Sequence, residues 1–241
     1  MRTSRGMMVG LLAVAGWLVV SAPAQAQDLW DDPVDAAPTA QQTPAVAQQQ
    51  QQQPPQQQQQ QMSADAGSGE LVVFDFEDGT DDWSIPDWER TSADYAAKSV
   101  DHSVDFVSHG KGSLQMLVEF LGGKWTGAYV ERQVFVTDWT AFRAVAADIY
   151  LPYNVPNGLK ARFILTVGDK WEWTEMNRGI LLLPDQWTTI RANLMPGSQD
   201  WKFFPDDTFR RDVRKVGIRI ESEGEPAYTG PVYIDNVRLV R

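Results

Sequence analysis

From residue 70 onward the chain alternates apolar and polar positions with a period of two, run after run. Leu71-Val72-Val73-Phe74 opens the pattern, and Asp78-Gly79 follows it with a turn signal. Leu114, Met116, Val118 and Phe120 share one parity, and Ala128 and Val130 lead into Val134 and Val136. Val145, Ala147 and Ile149 form the next run, which stops at Pro152. Ala161, Phe163, Leu165 and Val167 then occupy one side of a run, as do Thr188, Ile190, Ala192 and Leu194 of a later one. Val216, Ile218 and Ile220 precede a closing run marked by Val232, Ile234, Val237 and Leu239. Such alternation sets one side of each strand against a core, and the Gly, Pro, Asn and Asp between runs supply turns. Eight strand runs and one short helical stretch, Asp206 to Asp212, predict an all-β chain folded as a sandwich or barrel.

Upstream of these strands the pattern is different. Behind Arg2 and Arg5, an apolar run from Met7 to Val20 ends in Ala24-Gln25-Ala26. A charged start, an apolar stretch and small residues before a cut define a cleaved secretory signal, residues 1–26. The stretch is shorter than the roughly 20 residues of a spanning helix, and no second long apolar run follows, so export without membrane insertion is expected. The destination is the periplasm, the cell surface or the medium. Gln41 to Gln61 is mostly glutamine, with Pro44, Pro54 and Pro55. It lacks the apolar area that would offset its ordering entropy, so residues 27–69 are expected to form a disordered Gln/Pro-rich linker. Residues 70–241 then make one domain of ordinary size.

Charge and cysteine content narrow the partners. The formal net charge of −11 argues against nucleic acid and anionic membrane surfaces as ligands. With no cysteine, the domain holds together without disulfides and needs an adequate core of its own.

Several local motifs, in order, resemble one family. Phe74-Asp75-Phe76-Glu77-Asp78-Gly79 followed by Trp83 resembles the first strand of jelly-roll carbohydrate-binding modules, and Gly110-Lys111-Gly112-Ser113-Leu114 resembles the start of their next core strand. Asp138-Trp139 through Asp148-Ile149-Tyr150 is similar to the middle of that sandwich, and Pro184 to Ile190 to its proline-x-x-tryptophan-threonine edge strand. Pro231 to Val237, with Ile234-Asp235-Asn236-Val237, is similar to its last strand. The resemblance spans residues 70–241 and points to the galactose-binding-like superfamily, including the family 11 type of carbohydrate-binding module and the related complex I assembly-factor domain. It implies a jelly-roll β-sandwich that binds a polysaccharide or oligosaccharide. The assembly-factor relatives imply a different class, an exported structural or assembly protein whose sandwich, or whose tether, holds a protein partner.

The same resemblance implies a structural calcium joining the first strand, the loop before the second core strand and the last strand. Carried over residue by residue, its ligands would be Asp75, Glu77, the Lys111 carbonyl and Asp235. Calcium takes six to eight oxygen ligands, which suits that set. His102 and His109 lie seven apart in a polar loop and are expected to be exposed rather than to bind zinc.

Aromatic residues mark the ligand side. Of the ten Trp, eight lie in residues 70–241, more than a core of this size needs. Sugars pack flat C–H faces on aromatic rings while their hydroxyls meet polar side chains. In Asp169-Lys170-Trp171-Glu172-Trp173-Thr174-Glu175, Trp171 and Trp173 share a parity on any regular strand. These two, with Glu175, Trp125, Tyr129, Arg132 and Trp201, are the candidate ligand-binding residues on a concave sheet face. Trp83, Trp139 and Trp187 match positions that are core in the family.

Catalysis is not expected. A glycoside hydrolase needs two carboxylates spaced across the cleft, and sandwich hydrolases place theirs as Glu-x-Asp-x-x-Glu, which does not occur. Glu172 and Glu175, three apart, would point to opposite faces of a strand. A nucleophile-elbow serine is absent, and the histidines lie far in sequence from the aromatic strand, so a polysaccharide lyase is equally disfavoured. Non-catalytic glycan binding is the expectation.

Overall fold

The computed structural model describes residues 69–241 except residues 94 and 225. The secretory signal and the glutamine-rich linker lie outside the described residues.

The chain forms β1 (Glu70–Phe74), α1 (Asp87–Arg90), β2 (Ala97–Ser103), β3 (Ser113–Phe120), β4 (Trp125–Gln133) and β5 (Ala144–Leu151). β6 (Leu159–Val167), β7 (Glu172–Glu175), β8 (Ile180–Leu181), β9 (Gln186–Asn193), α2 (Asp207–Arg211), β10 (Val213–Glu223) and β11 (Tyr228–Val240) complete it. The strands make two sheets. One, six-stranded, runs β2-β3-β11-β5-β9, with β1 beside the far half of β11; the other, five-stranded, runs β4-β10-β6-β7, with β8 on β6. Two stacked antiparallel sheets are the sandwich that the alternation predicts.

The alternation also fixes what lies between the sheets. Leu114, Met116, Val118 and Phe120 of β3 and Val145, Ala147 and Ile149 of β5 meet Ala161, Phe163 and Leu165 of β6 and Val216, Ile218 and Ile220 of β10 in one core. Burying each larger side chain contributes about 1.5–3 kcal/mol, which holds a cysteine-free domain together.

Parity changes once within β11. Ile234 and Val237 both face the core although they are three apart. A bulge between Asp235 and Arg238 absorbs the extra residue, with Asn236 in the left-handed region at φ 51°. The short helix expected at Asp206 to Asp212 is α2, whose first turn is capped by the Asp206 carboxylate accepting from Phe209 N at 2.7 Å. α1, four residues behind Pro86, has no counterpart in the sequence expectations.

Candidate functional site

The outward side of the five-stranded sheet follows from its inward side. Val216, Ile218 and Ile220 face the core, so Lys215, Gly217, Arg219 and Glu221 of β10 face out. Register then lines up rows across the sheet. Arg219 lies between Tyr129 of β4 and Arg162 of β6, Gly217 between Glu131 and Ile164, and Glu221 between Gly127 and Lys160. β7 sets Trp173 beside Thr166 and Glu175 beside Ile164.

Aromatic rings crowd this face. Trp88 of α1, Tyr129 and Trp173 form a triangle with centroids 5.4 to 5.5 Å apart. Trp88 and Trp173 are 49% and 39% exposed, whereas Tyr129 is 1% exposed because the two indoles cover it. Tyr129 lies flat over Gly217, where a Cβ would come within 2.3 Å of the Tyr129 hydroxyl. Gly127 accommodates the stem of Arg219 in the same way, and the Arg219 guanidinium sits 5.4 Å from the ring centre of Trp125, which is 51% exposed. Exposed Trp125 and Trp173 thus stand over a floor that two glycines keep low.

The floor is an ion web. Glu221, fully buried, accepts from Arg162 and Arg219 at 2.7 Å each. Glu175 accepts from Arg219 at 2.6 Å and from Lys202. Burial works to raise the Glu175 carboxyl, but Lys202 and Arg219 together hold it below its ordinary value. Glu131 takes the Tyr129 hydroxyl at 2.9 Å and Lys215 at 2.6 Å. Burial, with the charge of Glu131 and the hydrogen bond to it, pushes the Tyr129 phenol well up, so it stays neutral. Glu89, one residue past Trp88, is also buried, and burial raises its carboxyl against the pull of Arg219.

Of the seven residues singled out in sequence, the structure brings Trp125, Tyr129, Trp173 and Glu175 onto this one face. Arg132 sits at the end of β4, 2.9 Å from Asp82. Trp171 lies in the turn before β7 with φ 56°, so strand parity does not govern it. Its ring, 45% exposed, instead rests against Arg214 at 5.2 Å and Lys215 at 5.8 Å. Trp201 is a correction: it is fully buried in the core, its indole N–H donating to the Asn193 carbonyl at 2.9 Å. The segment after β9 folds back and pairs Trp201 with Met176, turning the ring inward. Trp187, expected in the core, is only partly buried, on the outer side of the six-stranded sheet against Tyr150.

Sequence reading missed Trp88, Arg162, Arg219 and Glu221. For the last three the signal was present, since Arg162 stands between Ala161 and Phe163, Arg219 between Ile218 and Ile220, and Glu221 directly after them, at alternate positions of β6 and β10. For Trp88 there was none, because no repeat pattern announces a four-residue helix.

The proposed cation ligands cluster around one loop. Buried Asp235 accepts from Ser108 N at 2.7 Å, Ser108 Oγ at 3.0 Å and His109 N at 3.0 Å, and its other oxygen from Asn236 N at 2.6 Å. Burial pushes its carboxyl up, those hydrogen bonds opposing. Glu77 accepts from Lys111 N with both oxygens, at 3.0 and 3.1 Å. Asp75 turns back instead, accepting from Glu77 N at 3.2 Å. Among the described residues no group of three or more His, Asp or Glu converges to hold a metal. Glu77 and Asp235 thus spend their oxygens on N–H and O–H groups of the loop before β3 and on Asn236 N.

Comparisons with known proteins agree with the architecture. A family 28 carbohydrate-binding module specific for non-crystalline cellulose superposes with a TM-score of 0.50 at 17% identity, covering 70% of this chain and 93% of that one. A family 27 module of Caldicellulosiruptor saccharolyticus in complex with mannohexaose gives 0.49 at 19%, covering 71% and 96%. A carbohydrate-binding module of the β-sandwich superfamily with promiscuous specificity gives 0.49 at 18%, covering 73% of this chain but only 64% of that one, less than two thirds of its length. At 17% identity the likeness to the family 28 module is one of fold. No curated protein matches the chain, and among the described residues no helix is long and apolar enough to cross a membrane. The family described as mannanase, galactose-binding domain-like matches residues 74–236, most of the sandwich and more than half of the chain. The jelly-roll resemblance read from the motifs thus resolves to a definite group: the chain belongs to the family described as mannanase, galactose-binding domain-like.

Proposed function

We propose that this domain binds an uncharged polysaccharide, of the mannan or glucan kind, along the outer face of its five-stranded sheet, without catalysis. The observation that carries this reading is the pairing of exposed Trp125, Trp173 and Trp88 with a floor of Arg, Glu and Tyr on one sheet face. The rings offer flat apolar surface to sugar C–H groups, and the ion web fixes hydrogen-bonding groups beneath them. Three of its carboxylates, Glu131, Glu175 and Glu221, are each tied to Arg or Lys, so these three serve as scaffold rather than as free acid or nucleophile. The family relationship to mannanases and the mannohexaose and cellulose bound by similar sandwiches support a neutral β-linked chain. The leader-like residues 1–26 support export as the setting.

Affinity electrophoresis through gels containing glucomannan, galactomannan, mixed-linkage glucan or xylan tests the reading. Retardation by at least one of these is expected, and Trp173→Ala or Trp125→Ala weakens it by about tenfold or more, the scale of losing one buried aromatic contact. Unretarded migration in every gel, or retardation indifferent to both substitutions, overturns it.

We also propose that calcium, held by Glu77, Asp235 and the Lys111 carbonyl with Asp75 nearby, ties the loop before β3 to the first and last strands. A second charge beside buried Asp235 would relieve the penalty that burial places on its ionised form. The midpoint of thermal unfolding is expected to rise with millimolar calcium and fall with chelator. If the two melts coincide, the loop is held by the Glu77 and Asp235 hydrogen bonds alone.

A further inference from the structure

Beyond the sheet face, where β4 ends, lies a cleft with its own construction. One wall is Phe135, two residues past β4, 62% exposed and backed by the Arg132 guanidinium 5.0 Å from its ring centre. The other wall is Trp171, backed by the Arg214 guanidinium. The floor is the start of β10 and the residue before it, where Asp212 takes Arg214 in a two-pronged ion pair at 2.8 to 3.2 Å. Together with Gln133, Val134 and Thr137 these residues enclose a hollow of about 310 Å³. A second hollow, of about 340 Å³, opens on the side of Trp171 toward Asp82, Ser84, Glu131 and Lys215. Arg132, Gln133 and Trp171 line both.

Two features mark this cleft as built for a ligand. Trp171 is held in the left-handed backbone region, which strains a non-glycine residue and persists where the surroundings enforce it. Its partly exposed ring is thereby swung out of the strand direction and over the cleft. In addition, the two exposed rings, Phe135 and Trp171, are presented to one hollow and each is backed by a guanidinium.

The charges identify the class of ligand. Arg132 is matched by Asp82, Arg214 by Asp212 and Lys215 by Glu131. With every cation already paired, an anionic ligand such as a uronate would have to break an ion pair to be held. A neutral ring with apolar faces and hydroxyl edges uses both the aromatic walls and the paired polar rim as they stand.

We propose that the Phe135–Trp171 cleft is a separate subsite for one uncharged pyranose unit, at the end of the aromatic face away from Trp125. The inference rests on the polysaccharide-binding reading above. Trp125 and Gln133 are the two ends of β4, and at about 3.4 Å per residue they stand roughly 27 Å apart. An oligosaccharide that ends on Trp173, whose ring meets Tyr129 in mid-strand, stops roughly 14 Å short of Gln133, whereas a longer chain reaches the cleft.

Calorimetric titration of the full chain with a length series of the oligosaccharide that retards it tests this. Phe135→Ala and Trp171→Ala are each expected to weaken long oligosaccharides by about tenfold and to leave the shortest binders unchanged, while Trp173→Ala weakens all lengths. Both wall residues are exposed, so circular dichroism and melting of the variants should match the wild type. If both variants bind every length like the wild type, or lose short and long ligands equally, the subsite is refuted while the platform stands. If the wild type binds no polysaccharide, the platform reading fails and the subsite falls with it. Tighter binding of a uronate-bearing chain than of its neutral counterpart, lost in Trp171→Ala, would overturn the assignment to uncharged sugars.

Discussion

Replacing Arg219 by alanine is expected to destabilise the domain by about 3–5 kcal/mol and to remove polysaccharide binding with it. Arg219 bridges Glu221 and Glu175 at 2.7 and 2.6 Å, and its guanidinium faces Trp125. Glu221 is fully buried, and removal of one partner leaves part of a buried charge uncompensated, which is the costly way to break an ion pair. Arg162 still reaches Glu221 at 2.7 Å, but it stands 3.8 Å from Glu175 and cannot replace both contacts. Urea unfolding at neutral pH measures the loss. A variant that removes charge and counter-charge together, Arg219→Met with Glu221→Leu, is expected to recover part of the stability but none of the binding, since Trp125 then loses the guanidinium beneath it. A single-variant loss below 1 kcal/mol would mean the web is solvated and does not hold the face.

Acidification probes the same web. The Glu175 carboxyl is held below its ordinary value in the folded protein. Its contribution to stability is therefore present above the unfolded-state carboxylate pKa and fades as pH falls through the depressed folded value. In Arg219→Ala one of the two groups that hold it down is gone, so less of the acid-sensitive stability should remain to be lost.

The sandwich was legible because its core strands obey a strict period. Val216, Ile218 and Ile220 of β10 alternate with Gly217, Arg219 and Glu221, a spacing of two that a helix does not satisfy. The ligand face was legible where its aromatics sit inside such strands, as Trp125 and Trp173 do. It was illegible where backbone departs from regularity. Trp171 was placed by strand parity, yet its left-handed φ of 56° takes it off the strand and into the cleft beside Phe135. Trp88 rides a four-residue helix, α1, too short to leave a periodic trace. Arg219 and Glu221 were present in the alternation of β10 as its polar half. They escape notice when only the apolar half of a strand is read, although on a two-faced sheet the polar half is where function resides.

Trp201 shows why a tryptophan in a polar loop is weak evidence for a ligand site, and its removal should separate core from platform. Trp201→Ala is expected to cost about 3–5 kcal/mol, the range for truncating a large buried ring. Its ring is fully buried, packs 6.1 Å from Phe209, and donates its N–H to the Asn193 carbonyl, which would otherwise lack that partner. For a domain of this size the loss corresponds to a fall in Tm on the order of 10 °C. At temperatures well below its melt, Trp201→Ala should still bind polysaccharide with nearly the affinity of the wild type, because Trp125 and Trp173 stand on other strands. Trp173→Ala should behave in the opposite way, its ring being two-fifths exposed: a small change in Tm and a large loss of binding. The two variants together thus divide the aromatic residues by function. Loss of binding in folded Trp201→Ala would show that the segment from β9 to α2 shapes the platform, through Lys202 and its hold on Glu175, rather than merely covering the core.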